Sequence, residues 1–533
     1  MPVRGFDPKA IAGKFPEPER RVDVLVIGGG PAGIAAAIEA AGGGARVMLI
    51  DENPVAPGLM GLDTPLYYGG RYTGAVQTKA RMVAQVFAAN PGLEAALDAG
   101  VEVELGVYCW GAFVPGYGLA SLPEPHAGLA DETRAWMVGF EKLILATGAR
   151  DVALSFEGWD QPGVMGARGL LSLLETYDAF AGRRVAILGS GDLALRTALF
   201  AASNGLEVVA LIEVDPAVQG PTHLAREIRA RGTEILTGQV PIGAMGGLDG
   251  VQSLTVRSLA TGAERTLACD TIVQAVGLTP VIELLDVLGA DLAMQPSLGG
   301  HAPVSLDGVT TSLTQVFIAG DLAGAPGGSM RSLEDAQASG RLAAQRALAL
   351  QRSVPEPVAP PRPTFDALAY QQAWMCALMA NNPASVIICQ CEEVTRAALL
   401  AVRQPAYLGD PSSGMDQRDL HRLLLDGPAN QDQIKRLTRA CMGPCQARRC
   451  REQVALALAC EADQDAATIP LAGYRAPVRP LPLKVLADWD EARAMTAHWD
   501  VWFGIKGQWT PYADIGTDRE ALYDNLLGGD MHL

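Results

Sequence analysis

Val22-Asp23-Val24-Leu25-Val26-Ile27-Gly28-Gly29-Gly30-Pro31-Ala32-Gly33 is the stretch whose reading decides the fold. An apolar run of strand length gives way to glycines, then to an alanine-rich helical stretch, then to a second strand at Arg46–Ile50. That is β–turn–α–β. The spacing Gly28-x-Gly30-x-x-Gly33 has one physical reason per glycine. Gly28 permits the tight turn, Gly30 lets backbone approach a pyrophosphate, and Gly33 lets helix pack closely on strand. The helix opens at Pro31 and Ala32, so its unpaired N–H groups and dipole face the phosphates. Asp51 ends the second strand, where a carboxylate accepts ribose hydroxyls, and Glu52 beside it is a second candidate.

The architecture recurs without the sequence recurring. Arg184–Leu188, Gly189–Asn204 and Glu207–Ile212 read as another β–α–β. Gly189, Gly191 and Ala194 supply the small residues of its loop, and Glu213 ends its second strand. A carboxylate there favours ribose hydroxyls over a 2′-phosphate. The site would take NAD or ATP, or would be an unused inheritance. Asp192 puts a negative charge inside that loop. Two further strands end in small residues: Lys142–Leu145 before Ala146-Thr147-Gly148, and Val316–Ala319 before Gly320-Asp321. The first looks like the crossover segment of two-dinucleotide flavoproteins and the second like their second FAD motif, which makes Thr147, Gly148, Gly320 and Asp321 candidate FAD contacts.

Near the end, Cys389-Gln390-Cys391 and Cys445-Gln446-Ala447-Arg448-Arg449-Cys450 form two tight pairs. Four thiolates at this spacing fit an iron–sulfur centre, and zinc, which usually takes Cys-x2-Cys pairs, is the weaker reading. An oxidised 2Fe–2S core with four thiolates carries a net negative charge. Lys435, Arg436, Arg439, Arg448, Arg449 and Arg451 crowd the second pair and would offset it, unless they form a solvated face. Cys441 either replaces Cys445 or stands beside the centre as a spare thiol. Cys109, Cys269, Cys376 and Cys460 read as isolated core residues. No Cys-x-x-Cys follows the first glycine loop, which argues against a disulfide-reductase mechanism.

The chain has 533 residues, too many for one core, and a net charge of −17 that argues against nucleic acid or an anionic membrane as partner. No signal peptide is read at the N-terminus and no apolar run reaches the roughly 18 residues of a membrane span. The expected location is cytoplasmic. Nine cysteines without a secretory signal make structural disulfides an unexpected use. The expected fold is α/β, with two Rossmann-like dinucleotide-binding domains in a glutathione-reductase-like arrangement and a small helical ferredoxin-like domain. The FAD domain would take 1–165 and 290–352, the second dinucleotide domain 166–289, a proline-rich linker and helix 353–384, the 2Fe–2S domain 385–465, and a docking extension 466–533. Four of the chain's eight tryptophans, Trp489, Trp499, Trp502 and Trp509, lie in that extension.

Cys389-x-Cys391-Glu392-Glu393-Val394-Thr395 and Thr438-Arg439-Ala440-Cys441-Met442-Gly443-Pro444-Cys445-Gln446 resemble the domain named after bacterioferritin-associated ferredoxin. Joined to a two-dinucleotide flavoprotein, the whole of 20–485 resembles the large (alpha-type) subunit of heteromeric dye-linked dehydrogenases. That group includes opine oxidases, proline and hydroxyproline dehydrogenases, hydrogen cyanide synthase and sarcosine oxidase. The resemblance implies a partner beta subunit, like an amino-acid oxidase, that oxidises a C–N bond, and sometimes a small third subunit. It also implies FMN at a subunit interface in some members, and electrons passed onward to an external acceptor. Three departures stand out: Cys441 where glycine is usual, about twenty extra residues near Gln404–Asn430, and Pro57-Gly58-Leu59-Met60 after the acidic strand end. The leading expectation is an electron-transfer flavoprotein subunit. The competing expectations are a self-sufficient NAD(P)H-dependent reductase fed through the Gly189 loop, and a scaffold holding a structural nucleotide.

Overall fold

The structure, a computed structural model, describes residues 17–55, 73, 78–115, 122, 124–348, 365–405, 407, 419–489, 514 and 517–519. The proline-rich run at 354–363, Pro57–Met60, residues 406 and 408–418 of the insertion, and Trp499, Trp502 and Trp509 lie outside the described residues.

The described residues build a seven-stranded sheet around Arg20–Ile27, which pairs in parallel with Val47–Asp51 on one side and Ala135–Leu145 on the other. Glu102–Leu105 extends it beyond Val47–Asp51, and Val316–Ile318 adds in parallel to Ala135–Leu145. Parallel central strands are covered on both faces, which is why Val24, Leu25 and Val26 are all fully buried and read as one unbroken apolar run. A second, five-stranded sheet runs Glu234–Leu236, Glu207–Ile212, Arg184–Leu188, Thr271–Gln274, Val164–Gly166, parallel throughout. Beside it stands an antiparallel meander of Gln239–Gly247, Gly250–Ser258 and Glu264–Ala268.

Helix Pro31–Gly42 starts with proline at its first turn, where the missing N–H costs nothing. It packs against helix Leu333–Ala347, which Ser332 caps by accepting the Asp335 N–H at 3.1 Å. The contact is backbone-close at Gly340: a Cβ there would stand 1.9 Å from the Ala32 carbonyl oxygen.

Asp366 caps helix Ala367–Asn381, which lies on the second sheet's side of the molecule and carries fully buried Trp374, Met375 and Leu378 into its core. The cysteine-bearing region continues that same core. It consists of a two-stranded ribbon, Ile387–Cys389 with Val394–Thr395, and short helices ending in Arg451–Ala462. Helices Ala367–Asn381 and Arg451–Ala462 are joined by a disulfide between Cys376 and Cys460. The sequence reading is corrected here: these two are a bonded pair, because packing of two helices 84 residues apart brings their thiols together. Closing a loop of that length removes about 4.5 kcal/mol of unfolded-chain entropy in the loop-closure picture. The segment after this helix docks back on the first sheet, with the Val478 N–H donating to the Trp110 carbonyl at 2.7 Å and Trp489 meeting Trp110 edge-on.

Gly340→Ala is expected to lower stability by about 1–3 kcal/mol, through forced separation of the two helices. A urea midpoint equal to that of the parent protein would show that the helices are not held at backbone contact.

Candidate functional site

The first glycine loop opens onto a cavity of about 730 Å³, within the size range of cofactor sites. Its three spaced glycines differ in what surrounds them. Gly28 sits at φ +114°, where a Cβ would stand 2.3 Å from the Ala146 carbonyl oxygen. At Gly33 a Cβ would fall 1.8 Å from the Gly28 carbonyl oxygen. At Gly30 nothing lies within 4 Å. Two glycines are therefore closed by backbone and one faces the cavity. Pro31 and Ala32 line the same wall, at the N-terminus of a twelve-residue helix. Open space at Gly30 and the N–H groups of a helix N-terminus are features that suit a pyrophosphate.

Asp51 is held toward the loop. Its Oδ2 accepts the Gly29 N–H at 2.5 Å, and its Oδ1 accepts the Asn53 N–H and side-chain amide, each at 2.8 Å. Glu52 instead pairs with Arg479 from the C-terminal segment. The two adjacent carboxylates thus have different partners, although both line the cavity. Thr147 donates to the Val281 carbonyl at 3.0 Å, and Gly148, at φ +72°, has open space where a Cβ would be. Gly320 donates its N–H to Ser339 at 3.1 Å, and Asp321 accepts the Arg331 N–H at 3.0 Å. Burial raises the Asp321 carboxyl, and nearby Arg168 and Arg331 oppose that. All four line the cavity with the first loop, so the residues suit an FAD-sized dinucleotide.

The second loop is sealed. Gly189, Ser190 and Gly191 are buried, and Glu213 has no exposed surface. The Glu213 carboxylate accepts from the Ser190 hydroxyl at 2.6 Å, the Tyr370 hydroxyl at 2.5 Å and the Asp215 N–H at 2.9 Å. Tyr370 also accepts the Ser190 N–H at 3.1 Å, and its ring lies 3.9 Å from a Cβ built on Gly191. An aromatic side chain from the linker helix thus takes up the loop N–H and the acidic strand end. Ala194 is buried on the following helix. Asp192 points away, pairing with Arg196 at 2.7 Å and accepting from Ser329 at 2.7 Å. Sequence reading missed Tyr370, since nothing local connects it to a loop some 180 residues earlier.

The cysteines meet. Cys391 and Cys445 lie 3.5 Å apart, Cys389 and Cys450 3.6 Å, and Cys441 lies 3.5 Å from Cys450. Two thiolates on one tetrahedral metal, at bond lengths of about 2.3 Å, stand about 3.8 Å apart. Sulfur contacts also join Cys389 to Cys391 and Cys445 to Cys450, so the four expected residues form one group of thiols, a donor set that suits an iron–sulfur cluster. Among the described residues no three His, Cys, Asp or Glu side chains form a group able to hold a single metal ion. The loop can come this close because position 443 is glycine: a Cβ there would lie 2.5 Å from the Cys391 sulfur. Cys389, Cys445 and Cys450 are buried, and Cys391 is half-buried. Hydrogen bonds from Cys391 and Cys450 pull Cys389 down to about 4, and the same sharing raises Cys391 and Cys450. Cys450 also starts the twelve-residue helix Arg451–Ala462, whose N-terminal dipole favours thiolate.

The nearby cations divide. Arg439 pairs with Glu392 at 2.7 Å, and Arg436 with Asp432 at 2.7 Å on the surface. Arg449 donates to Gln390, and Lys435 to the Gly473 carbonyl. Arg448 and Arg451 are buried. Arg448 donates to the Val478 carbonyl, and Arg451 pairs with Glu452. Arg150, from the strand after Thr147 and Gly148, pairs with Glu283 and reaches Tyr474 at 3.2 Å. Burial pushes Glu283 up, but Arg150, Arg448 and Arg451 together bring it to about 2. Arg150, Glu283 and Arg448 all line the 730 Å³ cavity. The turn that carries Cys445 and Cys450 is therefore part of the cavity wall.

A sequence profile described as pyridine nucleotide-disulphide oxidoreductase matches residues 22–341. The opine oxidase A-type subunit of Agrobacterium tumefaciens (strain Ach5) is 26% identical over 509 residues, 89% of this chain and 93% of that protein. The sarcosine oxidase alpha subunit of Rhizobium meliloti (strain 1021) is 32% identical over 267 residues, 49% of this chain and 25% of that protein. The crystal structure of L-proline dehydrogenase from P. horikoshii shares the fold, with a TM-score of 0.55 at 20% identity, covering 89% of this chain and 81% of that one.

Tyr370→Phe is expected to cost about 1–3 kcal/mol, because the buried Glu213 carboxylate and Ser190 N–H each lose a partner. A thermal midpoint within error of the parent's would refute the seal. Asp151, another cavity-lining carboxyl, is raised to about 6 by burial, against which the Arg168 N–H and guanidinium act. An unfolded aspartate titrates near 3.9, so the folded state holds the proton more tightly. Stability present below about pH 4 is then lost as pH rises through about 6, on the order of 3 kcal/mol. Asp151→Asn should flatten that part of the stability–pH curve in cofactor-free protein, and a slope identical to the parent's would rule this carboxyl out.

Proposed function

The chain belongs to the pyridine nucleotide-disulphide oxidoreductase family, and from that premise we propose that it is the electron-carrying subunit of a heteromeric dehydrogenase or oxidase. The complex acts at the C–N bond of an amino acid, an opine or a related secondary amine, in the manner the names of its relatives indicate. The opine oxidase and sarcosine oxidase relatives are each named as one subunit of an oxidase, which supports a partner chain that holds the substrate. In that partner, the amine would give a hydride from carbon to the partner's own flavin and a proton from nitrogen to solvent. The resulting imine would take up water and split to a keto acid and an amine.

Bound FAD would take up electrons two at a time and a 2Fe–2S cluster would pass them on singly. This chain's residues do the binding and the spacing. Gly28, Gly30 and Gly33 shape the pyrophosphate cradle, Asp51 faces the ribose, and Thr147, Gly148, Gly320 and Asp321 line the rest of the cavity. Cys389, Cys391, Cys445 and Cys450 supply the thiolates. The observation that carries the reading is Arg448. It sits between two of those thiolates in sequence and on the cavity wall in space. The two redox centres would thus be neighbours, with a fixed positive charge between them.

The sealed second loop favours this reading over a reductase fed by NADH. Glu213 and the Ser190 N–H, the groups that would receive an adenosine ribose and a phosphate, are already engaged by Tyr370.

The purified, anaerobically prepared protein is expected to carry FAD, iron and acid-labile sulfide, and to keep its oxidised flavin spectrum when NADH is added. Cys389→Ala should lose iron and sulfide and retain flavin. Rapid bleaching of the flavin by NADH would replace this proposal with the reductase.

A further inference from the structure

Cys441 is the fifth thiol of the centre, and the four-ligand reading leaves it without a task. Its backbone lies at φ +71°, a region glycine enters freely and a residue with a Cβ enters only at a cost. The neighbouring Arg439, at φ +64°, shares the strain. A thiol held at that cost is buried, 3% exposed, with its sulfur 3.5 Å from Cys450. That separation equals the one within the Cys391–Cys445 pair and is close to the 3.6 Å of the Cys389–Cys450 pair. Two more contacts fix it in place. The Cys441 N–H hydrogen-bonds to the Cys389 sulfur. The Gln431 side-chain amide lies 3.8 Å from the Cys441 sulfur and is itself held by donating to the Arg451 carbonyl at 2.5 Å.

We propose that Cys441 is an alternate ligand that exchanges with Cys450 at the iron–sulfur centre. The inference rests on the reading of the four thiols as a cluster site. In the exchange, the Cys441 thiol gives up its proton as its sulfur bonds to iron, and the departing Cys450 thiolate takes a proton up. Bonds and charge balance, and no electron moves. Cys450 is the partner because it is the ligand whose sulfur lies at ligand spacing from Cys441. Cys389 neighbours both, through its sulfur contact with Cys450 and the hydrogen bond it accepts from the Cys441 N–H.

The test uses the full chain, purified anaerobically and reconstituted with iron and sulfide, with any partner chain that accompanies it. Iron and sulfide per chain are assayed, and the EPR spectrum is recorded after dithionite reduction. Cys450→Ala is expected to keep most of its iron and sulfide with shifted g-values, because Cys441 replaces the lost ligand. The double variant Cys441→Ala/Cys450→Ala should fall to the level of Cys389→Ala. Cys441→Gly should keep the whole cluster and melt at a higher temperature, since glycine relieves the backbone. Retained flavin in each variant shows that the fold stands, and Cys450→Ser serves if the alanine variant loses its flavin. If the parent holds a cluster and both Cys450 variants lose it as completely as Cys389→Ala, the exchange is overturned and the cluster reading survives. A double variant that keeps as much iron as Cys450→Ala alone also overturns the exchange. A parent protein that takes up neither iron nor sulfide overturns both.

Discussion

The buried ion pair of Arg150 with Glu283 is the constraint on which the arrangement of this molecule depends. Arg150 follows the Thr147-Gly148 segment of the cavity wall, Glu283 begins the short helix Glu283–Leu288, and both are almost entirely buried. Arg448 and Arg451 from the cysteine-bearing region lie close enough to act on the same carboxylate. Arg150 reaches in turn to Glu452 at 3.4 Å and to Tyr474 of the returning C-terminal segment. Charges this deep are tolerated only in pairs, and removing one partner typically costs about 3–5 kcal/mol. Such a network contributes little net stability compared with an apolar core of equal volume. What it adds here is position: it lets the turn between Cys445 and Cys450 sit on the nucleotide cavity in one orientation.

The charge pattern of the whole chain makes sense beside that network. A protein with a net charge of −17 concentrates guanidinium groups at one internal seam. Thiolates and the phosphates of a dinucleotide are all anionic, and Arg150 and Arg448 of that seam line the cavity. Outlying cations of the same sequence cluster have other uses, as Arg436 and Lys435 on the surface show.

Much of the fold was legible because it is written locally. Strand, glycine spacing, helix and acidic strand end all fall within about 30 residues of chain in such a unit, and both copies of the pattern in this chain can be read without knowing what they touch. The two cysteine pairs were legible for the same reason, since each lies within six residues. What could not be read depends on contacts distant in sequence. Tyr370 fills the second loop across 157 residues to Glu213. Cys376 and Cys460 looked solitary until two helices packed together. Arg448 read as one of six cations near the cysteines, and only the folded turn shows it on the cavity wall. The stretch from 466 onward read as a docking extension, and only the fold shows that its Val478 and Arg479 are tied to Trp110 and Glu52 of this same chain. Periodicity and spacing describe an element, and they carry no information about which distant element will cover it.

The bond between Cys376 and Cys460 has a consequence beyond joining two helices. All five thiols of the centre, from Cys389 to Cys450, lie inside the covalent ring it closes. A protease that nicked the backbone anywhere within that ring would leave both fragments tethered, so the severed chain would migrate as one species until a reductant was added. A cut in the chain between the two cysteine pairs would not scatter the thiols it separates.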